Sequence, residues 1–145
     1  MTELARYRLT ASVVVQDENK CILLVSEADQ QVYGKLNLPG GHVDKGENIV
    51  TCAIRECVEE TGLTPVLLGL LGIYANKGGI NIVFLGTTNE TLTTPGEDIL
   101  ECHWLSPTDI VNLVDDQILH PRKLRSIVSE VQSGLSHPMD IIKVL

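Results

Sequence analysis

Two spacings of apolar residues run along this chain, and the switches between them divide it into elements. Tyr7 to Gln16 and Cys21 to Val25 are dense in Val, Ile and Leu and flank the polar stretch Asp17-Glu18-Asn19-Lys20, which predicts two strands joined as a hairpin. Ser26 to Lys35 is polar and holds Gly34, so it reads as a surface loop. A short strand, Leu36 to Leu38, then meets the breaker Pro39-Gly40-Gly41. From Glu47 to Thr61 the spacing turns helical: Val50, Ala53, Ile54, Cys57 and Val58 form one apolar stripe, and Gly62 follows as a C-terminal stop.

Pro65 to Tyr74 and Ile80 to Thr87 read as strands around the turn Asn76-Lys77-Gly78-Gly79, and a polar loop runs from Thr88 to Asp98. Ile99 to Leu105 is a further strand. Ser106-Pro107 supplies an N-cap and a Pro at the first helical position of a short helix through about Val114, and a last helix runs from Pro121 to about Gln132. Strands on both sides of one helix, with helices at the end, predict an α/β chain with a mixed sheet flanked by helices. No repeat or linker interrupts the 145 residues, which fit a single domain spanning 1–145.

Charge narrows the function. Eleven Lys and Arg against nineteen Asp and Glu give a net charge of -8, which repels nucleic-acid polymers and anionic membranes. A polyphosphate substrate would need local cations, and divalent metals held by carboxylates would supply them. Cys21, Cys52, Cys57 and Cys102 show no zinc-like spacing, and Met1 to Ala11 holds no apolar run of signal-peptide length, so a cytoplasmic protein with reduced thiols is expected. Val13 to Val15, Cys21 to Val25 and Val66 to Leu71 fall far short of a membrane span.

The candidate chemistry lies between Gly41 and Leu63. On a helix advancing 100° per residue, Glu56, Glu59 and Glu60 share an arc of roughly 100° beside the apolar stripe. Like charges at i, i+3 and i+4 destabilise an isolated helix by a few tenths of a kcal/mol per pair, so a compensating cation is expected, with Mg²⁺ the natural hard partner for carboxylate oxygen. Three such glutamates alone are more often a solvated face. Their surroundings argue otherwise: Pro39-Gly40-Gly41 brings bare backbone to the foot of the helix, where amides and carbonyls can approach phosphate or metal, and Arg55 can pair with Glu47 to fix the loop.

This segment resembles the Nudix box, G-x5-E-x7-R-E-U-x-E-E-x-G-U with U a bulky aliphatic residue. Gly41, Glu47, Arg55, Glu56, Glu59, Glu60 and Gly62 fill every fixed position, a coincidence on the order of 10⁻⁸ per start point at ordinary residue usage. Cys57 stands at the first U as a compact hydrophobe, and Leu63 at the second.

The resemblance implies an α/β/α sandwich and Mg²⁺-dependent hydrolysis of a phosphoanhydride bond, with Mn²⁺ as a substitute ion. It implies Glu56 and Glu60 as principal metal ligands, Glu59 assisting, the Gly40 carbonyl completing the shell, and Glu47 as partner of Arg55 and outer-sphere ligand. Gly40 and Gly41 would approach the substrate, and Arg55 would orient the site. The general base would be Glu59 within the box or a later acid, Glu97 ranking above Glu101. The substrate would be a nucleoside di- or triphosphate or a related nucleoside-diphosphate-linked compound. ADP-ribose, nucleotide sugars, dinucleoside polyphosphates and a non-catalytic nucleotide sensor stay open, as does a homodimer.

Many Nudix proteins carry Trp where this chain has Leu36, which removes a ring from the site. The four histidines, His42, His103, His120 and His137, read as surface or packing residues, and Trp104 as core. Arg122, Lys123 and Arg125 could meet a substrate phosphate, although a solvated helix face is the simpler reading.

Overall fold

A computed structural model describes residues 2–145. One mixed sheet holds seven strands: β1 (Arg8–Gln16), β2 (Ile22–Glu27), β3 (Leu36–Asn37), β4 (Gly40–His42), β5 (Val66–Asn76), β6 (Gly79–Thr87) and β7 (Ile99–Leu105). Helix α1 (Ile49–Thr61) follows β4, and α2 (Pro107–Val111) and α3 (Pro121–Ser133) follow β7.

The centre is β1, whose Val13, Val14 and Val15 are all fully buried because both faces of the sheet are covered. It pairs in parallel with β6 from Arg8↔Gly79 to Gln16↔Thr87, and antiparallel with β4 from Thr10↔His42 to Ser12↔Gly40. The expected hairpin closes only at its turn. Asp17 caps that turn by accepting from the N–H groups of Asn19 and Cys21, both at 2.9 Å, after which β1 and β2 pair at Gln16↔Ile22 alone. From there they diverge, and β2 takes β7 as its partner.

The two-residue period of the strands sorts their side chains into two cores. Ala11, Val13, Val15 and Leu23 pack with Cys52, Ala53 and Cys57 of α1, whereas Val14, Ile22, Leu24 and Val83 pack with Ile110 of α2 and Leu124, Ile127 and Val128 of α3. This is the expected α/β/α sandwich. Helix α1 starts two residues later than the apolar spacing suggested, because Asn48 is its N-cap and accepts from the Thr51 N–H at 2.9 Å. Glu47 is thereby left in the loop. Val58 stands at the rim of the stripe, 39% exposed, since it lies one 100° step beyond Cys57.

Pro39-Gly40-Gly41 is more than a breaker. Gly40 and Gly41 form β4, a strand laid so close on β1 that a methyl on Gly40 would sit 2.6 Å from the Ala11 carbonyl oxygen. No helix among the described residues is long and apolar enough to cross a membrane.

Candidate active site

The charged box residues are placed by α1 or by the loop feeding it, and Gly41 by β4. The Arg55 guanidinium grips Glu47 with two bonds, Nε–H to Oε2 at 2.6 Å and Nη2–H to Oε1 at 3.0 Å, and donates to the His42 carbonyl at 3.1 Å. The expected clasp is therefore formed, and the fork geometry of arginine is what allows it. Its Nη1 also reaches Glu56 at 2.9 Å and Glu59 at 3.1 Å. Hydrogen bonding from Arg55 holds the Glu47 carboxyl down at about 2, and Glu47 in turn pushes the guanidinium pKa further up.

One cation is thus shared among three glutamates, and Glu60 receives none. Its Oε1 accepts from the Gly40 N–H at 2.7 Å, but burial outweighs that bond and pushes its pKa up to about 8, with Glu27 and Glu56 adding repulsion. Burial likewise raises Glu56, against the pull of Arg55. Glu59 differs: its side chain is 57% exposed and projects toward solvent. A methyl on Gly41 would collide with the Glu56 carboxylate, so only glycine leaves that group its place.

Glu56 and Glu60 open into a cleft lined also by Glu27, Asp29, Asp44, Glu97 and Asp98, with Gly40, Gly41 and His42 at its edge. No Lys or Arg lines it. Glu97 arrives because its loop is tied to the end of α1, Thr94 N–H to the Thr61 carbonyl at 2.8 Å and Gly96 N–H to the Glu60 carbonyl at 3.1 Å. Glu59 does not line this cleft, and Glu101 lies away from it beside His103. Glu27, Asp29 and Asp98 had no motif to mark them; Glu27 is half-buried at the end of β2, and burial raises its pKa.

As folded, no three His, Cys, Asp or Glu side chains among the described residues form a ready metal cage. Arg55 engages Glu56, and the Gly40 N–H engages Glu60. The donor set nonetheless suits a hard divalent cation: oxygen ligands only, a half-buried Glu60 with no cationic partner, and a cleft of seven carboxylates of which Arg55 reaches only Glu56 and Asp44.

A second cleft of about 980 Å³ adjoins the first across Gly40, Gly41 and His42. Arg8, Thr10, Ser12, Asn81, His120, Arg122 and Lys123 are among its walls, and no carboxylate is. Asn81, 8% exposed, donates through Nδ2 to Thr10 Oγ1 at 2.8 Å and Ser12 Oγ at 3.1 Å, and accepts from Lys123 Nζ at 3.2 Å. Burial lowers the Lys123 pKa, and lowers that of His120 with Lys123 adding repulsion.

Several readings change here. Lys123 is half-buried and not part of a solvated face, because the first turn of α3 rests against β6 through Asn81; Arg122 stays exposed while lining the same cleft, and Arg125 turns away to Asp115 and the Leu113 carbonyl. His42 and His120 are exposed, as expected of surface residues, and line the clefts. Trp104 packs only partly into the first core, and its Nε1–H donates to the Thr91 carbonyl at 3.1 Å, anchoring the loop that carries Glu97. Leu36 packs beside the second core. All four cysteine thiols are free, and burial raises Cys52 and Cys57 to about 11.

A family model described as NUDIX domain matches residues 6–126. An ADP-ribose pyrophosphatase from Methanocaldococcus jannaschii is 30% identical over 126 residues, covering 79% of this chain and 74% of that relative. A Bacillus subtilis relative whose name only proposes 8-oxo-dGTP diphosphatase activity is 33% identical over 104 residues, 70% of this chain and 68% of its own. A solved NUDIX hydrolase from Nitrosomonas europaea superposes with a TM-score of 0.83 at 24% identity, covering 97% of this chain and 98% of that one.

Proposed function

This chain belongs to the Nudix family and is a Nudix hydrolase, and from that premise we propose that it cuts a phosphoanhydride bond in a nucleoside di- or triphosphate or a related nucleoside-diphosphate-linked substrate, with Mg²⁺. The observation that carries the reading is the carboxylate-lined cleft around Glu56 and Glu60, in which Arg55 reaches only Glu56 and Asp44. Glu56 and Glu60 would hold the metal as principal ligands, with the Gly40 carbonyl beside them; the assisting role expected of Glu59 falls away, because Arg55 holds it outside the cleft. When bound, the cation would neutralise the diphosphate and polarise an attacking water.

The chain's own residues do the rest. Arg55 fixes Glu47, the His42 carbonyl and α1 relative to one another, so the ligands keep their places as the substrate enters. Glu47 serves as the arginine's partner and an outer-sphere acceptor. Gly40 and Gly41 present backbone without side chains at the boundary between the two clefts, where the diphosphate would pass from one to the other. For the proton of the attacking water we rank Glu97 above Glu59, because Glu97 lines the carboxylate cleft and Glu59 is committed to Arg55 at its solvent side.

The names of two relatives, one for ADP-ribose and one for 8-oxo-dGTP, supply the first substrates to try. Phosphate release would be followed on nucleoside triphosphates, 8-oxo-dGTP, ADP-ribose, dinucleoside polyphosphates and nucleotide sugars, each with and without Mg²⁺. Turnover that requires Mg²⁺ on at least one compound is expected. Silence across the panel would favour a nucleotide sensor.

A further inference from the structure

The cleft beside the carboxylates has a composition that scission of a diphosphate does not explain. In a chain of net charge -8, its walls carry Arg8, Arg122 and Lys123 and no carboxylate. The diphosphate's own charge would be met by metal in the acidic cleft, which leaves these cations unused. Lys123 is also not a free surface lysine. Its Nζ is held against Asn81 Oδ1 at 3.2 Å, and Asn81 is locked in that orientation because its Nδ2 already serves Thr10 and Ser12. An ammonium group has three N–H donors, and only one has an acceptor here.

A flat base has little to stack on in this cleft. Tyr74 is its one aromatic wall besides the histidines, and the Tyr74 hydroxyl is spent on Glu130 at 2.7 Å. Phe84 is fully buried in the sheet, and Trp104 serves the loop near Thr91. What the cleft offers is cations and fixed amide and hydroxyl groups, the complement of a compact anion with several acceptor oxygens.

We infer that this cleft takes a phosphomonoester carried on the substrate's nucleoside sugar, away from the bond that is cut, and that Lys123 is the residue selecting for it. Arg122 and Arg8 add charge around the same cleft. The Asn81 network fixes where the ammonium stands and, through Ser12, which is packed against Gly40, ties that position to the strand bordering the carboxylates. The inference rests on the proposed hydrolysis of nucleoside-diphosphate-linked compounds and narrows the substrate to those bearing an extra phosphate.

Matched compounds test it: ADP-ribose against its 2′-phosphorylated and 3′-phosphorylated forms, each measured for kcat/KM with Mg²⁺ and for Kd by calorimetry. At least one phosphorylated form should be favoured tenfold or more in both measurements. Lys123→Met should bring that ratio close to one, and Lys123→Arg should retain part of it. Equal treatment of all three compounds by the wild-type chain would overturn the inference, as would a Lys123→Met variant that weakens all three alike and leaves the ratio intact. Equal hydrolysis of the three would leave the hydrolase reading standing while removing the phosphate pocket. Preferential binding without hydrolysis would keep the pocket and remove these compounds as substrates, and neither binding nor hydrolysis would overturn the pocket while leaving the hydrolase reading to the wider substrate panel.

Discussion

The acidic cleft and the cationic cleft share Gly40, Gly41 and His42 but are assembled in opposite ways. The first draws its central acids, Glu56 and Glu60, from one turn of α1, the one held by Arg55 and the other by the Gly40 N–H. The second gathers single residues from β1, β6 and the start of α3, joined by the Asn81 hydrogen bonds. In the first, charge is left over because the anions outnumber the cation. In the second, it is left over because a half-buried lysine has no acid beside it. Unmatched charge of opposite sign on the two sides of β4 is what a metal–diphosphate substrate with a further anionic group would neutralise.

The contrast can be broken at either side. The largest effect is expected at the acids: Glu56→Gln and Glu60→Gln should each lower metal-dependent kcat on the order of a thousandfold, with unchanged circular dichroism. Near wild-type turnover of both variants at saturating Mg²⁺ would remove them as ligands. Gly41→Ala is next, since its methyl must displace the Glu56 carboxylate; a loss of about 100-fold in kcat is expected, as for other displacements of about an ångström. Unchanged kcat would show that Glu56 does not need its present position.

Asn81→Ala strikes the other cleft. It frees Lys123 and leaves Thr10 and Ser12 without their donor, so KM should rise about tenfold with a smaller change in kcat. A fall confined to kcat would contradict a binding role.

The smallest effect concerns stability without metal. Glu60 has a folded pKa of about 8 against an ordinary value of 4.5, so the folded state binds more protons between those limits and loses stability as pH rises through them. The metal-free protein should melt several degrees lower at pH 8 than at pH 5, about 3–6 °C. Glu60→Gln should flatten this dependence, because it keeps the acceptor for the Gly40 N–H and removes the titration. Burial of His120 acts in the opposite sense, so the variant comparison, and not the wild-type slope alone, isolates Glu60.

How much of this was readable in the chain follows from the same contrast. Glu47, Arg55, Glu56 and Glu60 could be read because a helix fixes the angle between residues a few positions apart, so spacing carries geometry. The sandwich was legible for a similar reason, since the two-residue alternation of β1 and β2 assigns each side chain a face. Lys123 and Asn81 were not: 42 positions separate them, and only the packing of α3 on the sheet brings them together. Gly40 and Gly41 read as a turn in the sequence because glycine carries no strand propensity; their pairing with Ala11 and Ser12 comes from β1, whose free edge they fill. Glu27 and Asp98 lacked any marker, because a loop held by backbone bonds such as Ala28 N–H to the Asp98 carbonyl leaves no trace in residue type.

Counting bound Mn²⁺ by electron paramagnetic resonance, in the wild-type chain and in a Glu56→Gln, Glu60→Gln double variant, tests the central claim most directly. The wild type should remove at least one equivalent of free Mn²⁺ and the double variant should not. Equal binding by the two would place the metal elsewhere and contradict the assignment of the carboxylate cleft.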